Sequence, residues 1–375
     1  MIGYKINGKI FYNPFLAFLD GAHHSPHEIP KFFIHDDIFK NINWTKEPEE
    51  SLRDLIDLRA RIITQKYEKI ILCFSGGTDS VTAYNSFMRQ NIFIDEIIIT
   101  FTPKSEAHSV KNISWLLKNH KDKRTKITVF NRNDPKFRSC FDNEEWVLQN
   151  HGQFRDVFEL TVPGGVYNHC NDSWGNKNWC MVIGYEKPHI LREKNQWLAV
   201  HLDKVFAPGL NWPRIEFFFI TTDLPQLHIK QNHSLLKYIK KKYNNFYEGW
   251  SSVKSLGKSS PIEYLEYAAA CGCDKEINTG QGWTQKKIYM ENKINDLDSL
   301  MGNHFYKIKN IDPLLKEKLI QKDPIAKSFI NGWRSLENDS TLRNYMMRHK
   351  FLTNANQTIE NYNGFWGQKY LLENN

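Results

Sequence analysis

The sequence predicts an α/β protein: a doubly wound, mainly parallel sheet with an appended β-hairpin region and a mostly helical C-terminal domain. Three observations predict it. An apolar run at 70–74 stops at Ser75-Gly76-Gly77-Thr78-Asp79-Ser80, and a helical period follows with Val81, Tyr84, Phe87 and Met88 on one side. Two more apolar runs, 93–101 and 126–130, flank another helical pattern, which completes a β-α-β-α-β alternation. From His228 onward helical periodicity dominates. The expected divisions are an N-terminal extension (1–48), an α/β domain with an inserted loop and hairpin (49–227) and a helical domain (228–375).

In chain order, residues 1–48 read as short strands or packed loops: apolar pieces at 9–12 and 31–34 are broken by Pro14, Pro26 and Pro30. His23, His24 and His27 lie close together, yet only Asp20 and Glu28 are near and no cysteine is, which argues against a metal site. Segment 49–67 carries Leu52, Leu55, Ile56, Ile62 and Ile63 at helical spacing with charges opposite, an amphipathic helix leading into the first core strand. The mostly apolar run at 93–101 suits a parallel sheet buried on both faces. Ser105 caps a predicted helix with Val110, Ile113, Leu116 and Leu117 on one face. A helical stretch is expected near 141–150. Pro163-Gly164-Gly165 and the run 167–179, rich in turn formers and aromatics, read as a long loop over a site. Segments 181–184, 188–193, 196–202 and 214–221 look extended, with Lys194-Asn195 turning a hairpin. Helices are predicted at 234–243, 261–271, 285–297, 312–321 and 324–337, and the polar tail holds Trp366 and Tyr370 as anchors.

The loop at 75–80 is suited to phosphate. Adjacent glycines let the backbone turn and bring its N–H groups close to an anion, and the following helix adds unpaired N–H groups and its positive dipole end. Ser75, Thr78 and Ser80 add hydroxyls. The Lys of G-x-x-x-x-G-K-[ST] and the spacing of G-x-G-x-x-G are both missing, so neither a Walker-type NTPase nor a dinucleotide site is indicated.

After an apolar strand, SGGTDS resembles the pyrophosphate loop (PP-loop, S-G-G-x-D-S) of the N-type ATP pyrophosphatases, and all five specified positions match. The resemblance is specific for the loop and extends with falling strength to about residue 135. It implies an adenine nucleotide alpha hydrolase-like fold, ATP and Mg2+ as cofactors, and transfer of AMP with release of pyrophosphate. It also implies pyrophosphate contacts from Ser75, Gly76, Gly77 and Ser80, with Thr78 at the variable position. Asp79 inherits a catalytic and metal-binding role near the phosphates, and backbone near Thr100 and Phe101 would hold adenine. A helix carboxylate favoured by the dipole is the plainer reading of Asp79.

ATP chemistry needs cations to neutralise the departing pyrophosphate. Lys187, before Pro188 at a strand entry, is one candidate; Lys286 and Lys287, after Gly280 and Gly282, form another, though lysines chosen this way are commonly surface residues. Cys271-Gly272-Cys273 invites a sulfur-transfer reading, but the spacing differs from that of tRNA-thiolating relatives, and a buried cysteine at a helix end is the common alternative. The four-cysteine zinc cluster of the usual 7-cyano-7-deazaguanine synthases is missing, and no cysteine follows Met1 as a glutamine-hydrolysing domain would require.

Composition bounds the rest. The 375 residues are 41% hydrophobic, enough for a substantial core, and 50 basic against 42 acidic residues give +8, a mild excess that suits polyanions without demonstrating one. No leader-like start or long apolar span is seen, so a soluble cytoplasmic protein with no membrane partner and free thiols is expected. The first functional expectation is an AMP-forming ligase that activates a carboxylate or carbonyl oxygen of a small-molecule acceptor for attack by an amine or by ammonia from a separate source. The alternatives are a nucleic-acid base-modifying enzyme using Trp174, Trp179 and Trp197 for stacking, and a non-catalytic ATP- or AMP-binding module.

Overall fold

The computed structural model describes residues 2–101, 107–131, 164–184, 187–203, 213–243, 246–252, 261–274, 336, 338–354 and 364–374. The helices expected at 141–150, 285–297 and 312–321, nearly all of the one at 324–337, and Cys140, Lys286 and Lys287 lie outside the described residues.

Strands β1 (Ile2–Ile6), β2 (Lys9–Phe11) and β3 (Lys31–Ile34) form an antiparallel sheet ordered β2-β1-β3. Between β2 and β3 lies helix α1 (Pro14–His24), where packed loops were expected. Pro14 starts the helix rather than breaking it: the Asn13 side chain accepts from the Phe15 N–H at 2.8 Å, and a proline in the first turn forfeits no helical hydrogen bond. Phe15, Ala17, Phe18 and Ala22 then face the core. A short α2 (Asp36–Phe39) follows.

The expected amphipathic helix is α3 (Leu52–Lys66), capped by Ser51, whose hydroxyl accepts from the Asp54 N–H. After it come β4 (Lys69–Cys73), α4 (Thr78–Arg89), β5 (Glu96–Phe101), α5 (Ala107–Asn119), β6 (Lys126–Asn131), α6 (Val166–Trp174), β7 (Trp179–Ile183), β8 (His189–Glu193), β9 (Gln196–Val200) and β10 (Ile215–Phe217). The chain continues through α7 (Pro225–Lys242), α8 (Pro261–Ala270) and α9 (Ser340–Arg348) to β11 (Tyr370–Asn374).

Five strands pair in the order β10-β7-β4-β5-β6, every pair parallel. Alternate residues serve opposite faces, as strand geometry requires. Ile70, Leu72, Ile97, Ile99, Cys180 and Val182 pack with Leu55, Ile56 and Ile63 of α3 and Val81 and Phe87 of α4. Ile71, Ile98, Trp179, Met181 and Ile183 face the other way, in one buried cluster with Val166 and Cys170 of α6 and with α1. Counted along the chain, the strand order is 3-2-1-4-5, so the winding reverses between β4 and β7, and the carboxyl ends of these two strands bound the crevice where doubly wound sheets hold ligands.

The expected hairpin is β8–β9, with Lys194 and Asn195 at φ 48° and 58°, the conformation of a two-residue type I′ turn. It belongs to a second antiparallel sheet, β11-β9-β8, whose third strand comes from the polar tail; Tyr370 is a buried anchor there, and Trp366 packs against Leu191, Leu198 and Val200.

Three expectations need correction. Residues 167–179 are not a loop over a site: most of them form α6, because Val166 and Cys170 are buried one turn apart and Gly175, at φ 53°, ends the helix. Leu117 does not share the buried face of α5, being 52% exposed while Leu116 is fully covered. Helix α7 begins at Pro225, nine residues before the periodicity suggested, and packs on both α3 and α8.

Candidate functional site

The Ser75–Ser80 loop leaves the carboxyl end of β4, where the Phe74 N–H still bonds to Ile98 O at 2.8 Å. Gly76 turns the chain at φ 75°, a region that side-chain-bearing residues rarely adopt. Gly77 is the N-cap of α4, and no side chain caps the helix. Among the described residues, no side chain accepts from the first-turn N–H groups at the positive end of the dipole, the arrangement that suits an anion. The loop is braced internally: Ser75 Oγ and Ser80 Oγ are 3.2 Å apart, and the Ser80 hydroxyl donates to Gly77 O at 3.1 Å. The buried Thr78 hydroxyl has no hydrogen-bond partner among the described residues.

Across the crevice, Gly184 directly follows β7. A Cβ there would stand 2.7 Å from the Asp79 carbonyl carbon and 2.8 Å from the Ser80 nitrogen, so the strand approaches the head of α4 as closely as a glycine permits. Three residues on, Lys187 is 5% exposed and its ammonium donates to both Asp79 carboxylate oxygens at 2.6 Å. Two sequence candidates over 100 positions apart thus meet at the reversal point.

A third strand of chain reaches the same carboxylate. The Cys273 Sγ donates to Asp79 Oδ1 at 3.2 Å, and burial, reinforced by the Asp79 charge, pushes this thiol well above its ordinary range. As placed, Cys273 is a hydrogen-bond donor rather than a nucleophile. The next residue clamps it: Asp274 N–H donates to Thr82 Oγ1 at 2.7 Å, and the Asp274 carboxylate accepts from Asn85 at 3.0 Å and Arg89 at 3.1 Å, all on α4. Arg89 is held in turn by Asp57 of α3. Sequence reasoning missed this clamp and the part played by Gly184; a glycine directly after a buried strand was the available signal for the latter.

Thr100 and Phe101 end β5. Cys73, the last residue of β4, pairs with Ile98, so these two residues run past β4 on the side where the loop departs, opposite β7 and Lys187. Lys286 and Lys287 lie outside the described residues; among the described ones, Lys187 is the sequence-predicted cation that reaches Asp79.

No protein-family model matches the chain, and no curated protein matches it.

The residues present fit a nucleotide and a divalent ion. An uncapped helix end, an orphaned buried hydroxyl, two hydroxyls on a glycine bend and a carboxylate–ammonium pair form an oxygen-rich donor set beside a cation. Of the tryptophans proposed for stacking, Trp179 and Trp197 are buried in the core, while Trp174 is half-buried and donates from Nε1 to Glu96 Oε2 at 2.9 Å at the amino end of β5. His23 contacts Asp339 at 3.2 Å, and no group of three potential metal ligands occurs among the described residues. Among the described residues, Cys73, Cys170, Cys180, Cys271 and Cys273 are not joined in disulfides. No helix among the described residues is long and apolar enough to cross a membrane.

Proposed function

We propose that the protein is an ATP-dependent, AMP- and pyrophosphate-forming enzyme with an adenine nucleotide alpha hydrolase-like fold, which adenylylates a carboxylate or carbonyl oxygen for attack by an amine or ammonia. The observation that carries this reading is the meeting of Asp79 and Lys187 over a Gly76-Gly77 bend where the sheet reverses its winding. Ser75, Gly76, Gly77 and Ser80 would hold the pyrophosphate portion through backbone N–H groups and hydroxyls. Thr100 and Phe101 would border adenine. Mg2+, held by Asp79, would supply charge neutralisation on the phosphates.

The chain's own contribution is electrostatic and positional. Lys187, fixed by its near-complete burial, offers a positive charge to the oxygens on which charge builds as the bond to the α-phosphorus breaks, and the head of α4 adds its dipole at the same place. The test is product analysis with ATP labelled at the α and γ positions, with small carboxylates plus ammonia, or with RNA and DNA, as acceptors. AMP and pyrophosphate support the reading, and their loss in Asp79→Asn ties them to this loop. ADP and phosphate as the only products would refute it.

A further inference from the structure

The placement of Cys273 exceeds what packing alone requires. Its thiol meets the carboxylate of the phosphate loop from 194 positions away, and three features hold it there. Gly272 takes φ 81°, and a Cβ at that residue would collide with Leu52 Cδ2 at 2.5 Å, so the turn is pressed against α3. Asp274 is bonded through both backbone and side chain to Thr82, Asn85 and Arg89 on α4. Arg53 of α3 closes the other Asp274 oxygen at 3.2 Å. The segment after α8 is thus fastened to the helix whose first turn carries Asp79, with a single donor aimed back at the loop.

The geometry points to Cys273 as a positioning residue for Asp79: its thiol fixes the carboxylate so that the metal-bearing face is presented to the phosphates. This rests on the proposed reading of Asp79 as the metal-binding carboxylate. Lys187 engages both oxygens from the segment after β7, whereas Cys273 engages Oδ1 alone, so the group is held from two sides of the chain. With the Lys187 charge shared between Asp79 and a phosphate, Cys273 is the donor that serves the carboxylate alone. Without it Oδ1 loses a donor and the carboxylate is held less firmly about its last torsion, so a metal must do more of the ordering.

Binding measured by titration calorimetry, without any acceptor, tests this. One hydrogen bond to the carboxylate converts to about a fivefold weakening of Mg-ATP in Cys273→Ala, with metal-free ATP binding unchanged, and Cys273→Ser, which restores a donor, should return to within about twofold of the parent. A structural role alone would lower the melting temperature of both variants without separating Mg-ATP from ATP. If Asp79→Asn loses the Mg2+ dependence while Cys273→Ala matches the parent, or if serine fails to rescue, the positioning role is overturned and the reading of the loop stands. If the parent protein shows no Mg2+-dependent ATP binding, both fall.

Discussion

Gly184 lies so close to Asp79 that a single added carbon would stand 2.7 Å from the Asp79 carbonyl carbon. The obstacle is backbone on both sides, the end of β7 and the first turn of α4, so no flexible side chain can yield. Gly184→Ala should therefore push the head of α4 away from the crevice, costing about 1–3 kcal/mol of stability as overpacking does and weakening nucleotide binding more than its stability loss explains. Urea unfolding alongside ATP titration checks it. Unchanged values for both would mean that the strand and the loop are not in register as described.

The Asp79–Lys187 pair should behave as a unit. Breaking a buried ion pair costs about 3–5 kcal/mol, but water reaches Asp79, 24% exposed, so about 2 kcal/mol is expected for Lys187→Met. Asp79→Asn/Lys187→Met should be less destabilised than the sum of its parts, because the double variant leaves neither charge unpaired. On the proposed function, Lys187→Met should also lower pyrophosphate formation by about two to three orders of magnitude. Additive stability losses in the cycle would remove the pair from the account of the site.

What was legible in the sequence is what has a local signature. The strand, glycine bend and helix at 69–89 show an abrupt change of period, and Lys194-Asn195 announces a two-residue turn; both are present. Helix α6 was hidden because its asparagines, Asn168 and Asn171, and its flanking glycines, Gly165 and Gly175, resemble a loop, and its two buried positions, Val166 and Cys170, are too few to set a period. Strand β11 lies in a polar tail, and its register is fixed by β9, more than 150 residues earlier. The contact of Cys273 with Asp79 has no local trace for the same reason: tertiary packing creates it.

Arg59 offers a stability test remote from the loop. It is fully buried on α3, donating to Glu216 Oε2 at 2.7 Å and Phe217 O at 2.9 Å, while Lys66 and Tyr67 hold the other Glu216 oxygen. Burial alone would raise the Glu216 pKa, but Arg59 and its neighbours outweigh it and hold the carboxyl below its ordinary range. Arg59→Met leaves Glu216 with fewer partners and frees β10 from α3, with an expected loss of about 3–5 kcal/mol in chemical denaturation. A loss under about 1 kcal/mol would show the network to be dispensable.

Stability should fall as the solution is acidified well before the carboxylates titrate, and buried histidines are the reason. His201 Nε2 and His228 Nε2 are 2.9 Å apart in the core between β9 and α7, and the Nδ1 atoms of both, like His189 Nε2, have no partner. Desolvation holds His228 neutral down to about 3 and His189 to about 4, and His201 also stays well below its ordinary range. The unfolded chain takes up these protons near 6.5. Above that pH neither state binds them and the stabilisation is complete; below it, only the unfolded chain does, so stability is lost from about 6.5 down through the folded values. Each histidine adds a slope of at most about 1.4 kcal/mol per pH unit, so these three give about 4 kcal/mol per unit, and His35 and His120, also lowered by burial, add to it. Glu96 and Glu216, both held below their ordinary 4.5, contribute only at lower pH, which reserves the interval between 6.5 and 5 for histidine. Urea midpoints at pH 7.5, 6.5 and 5.5 should therefore decline mainly across the last interval, and His228→Gln, starting from a lower stability, should show a slope shallower by about one proton. Equal midpoints at pH 6.5 and 5.5 would mean that these imidazoles are not sealed in the folded protein.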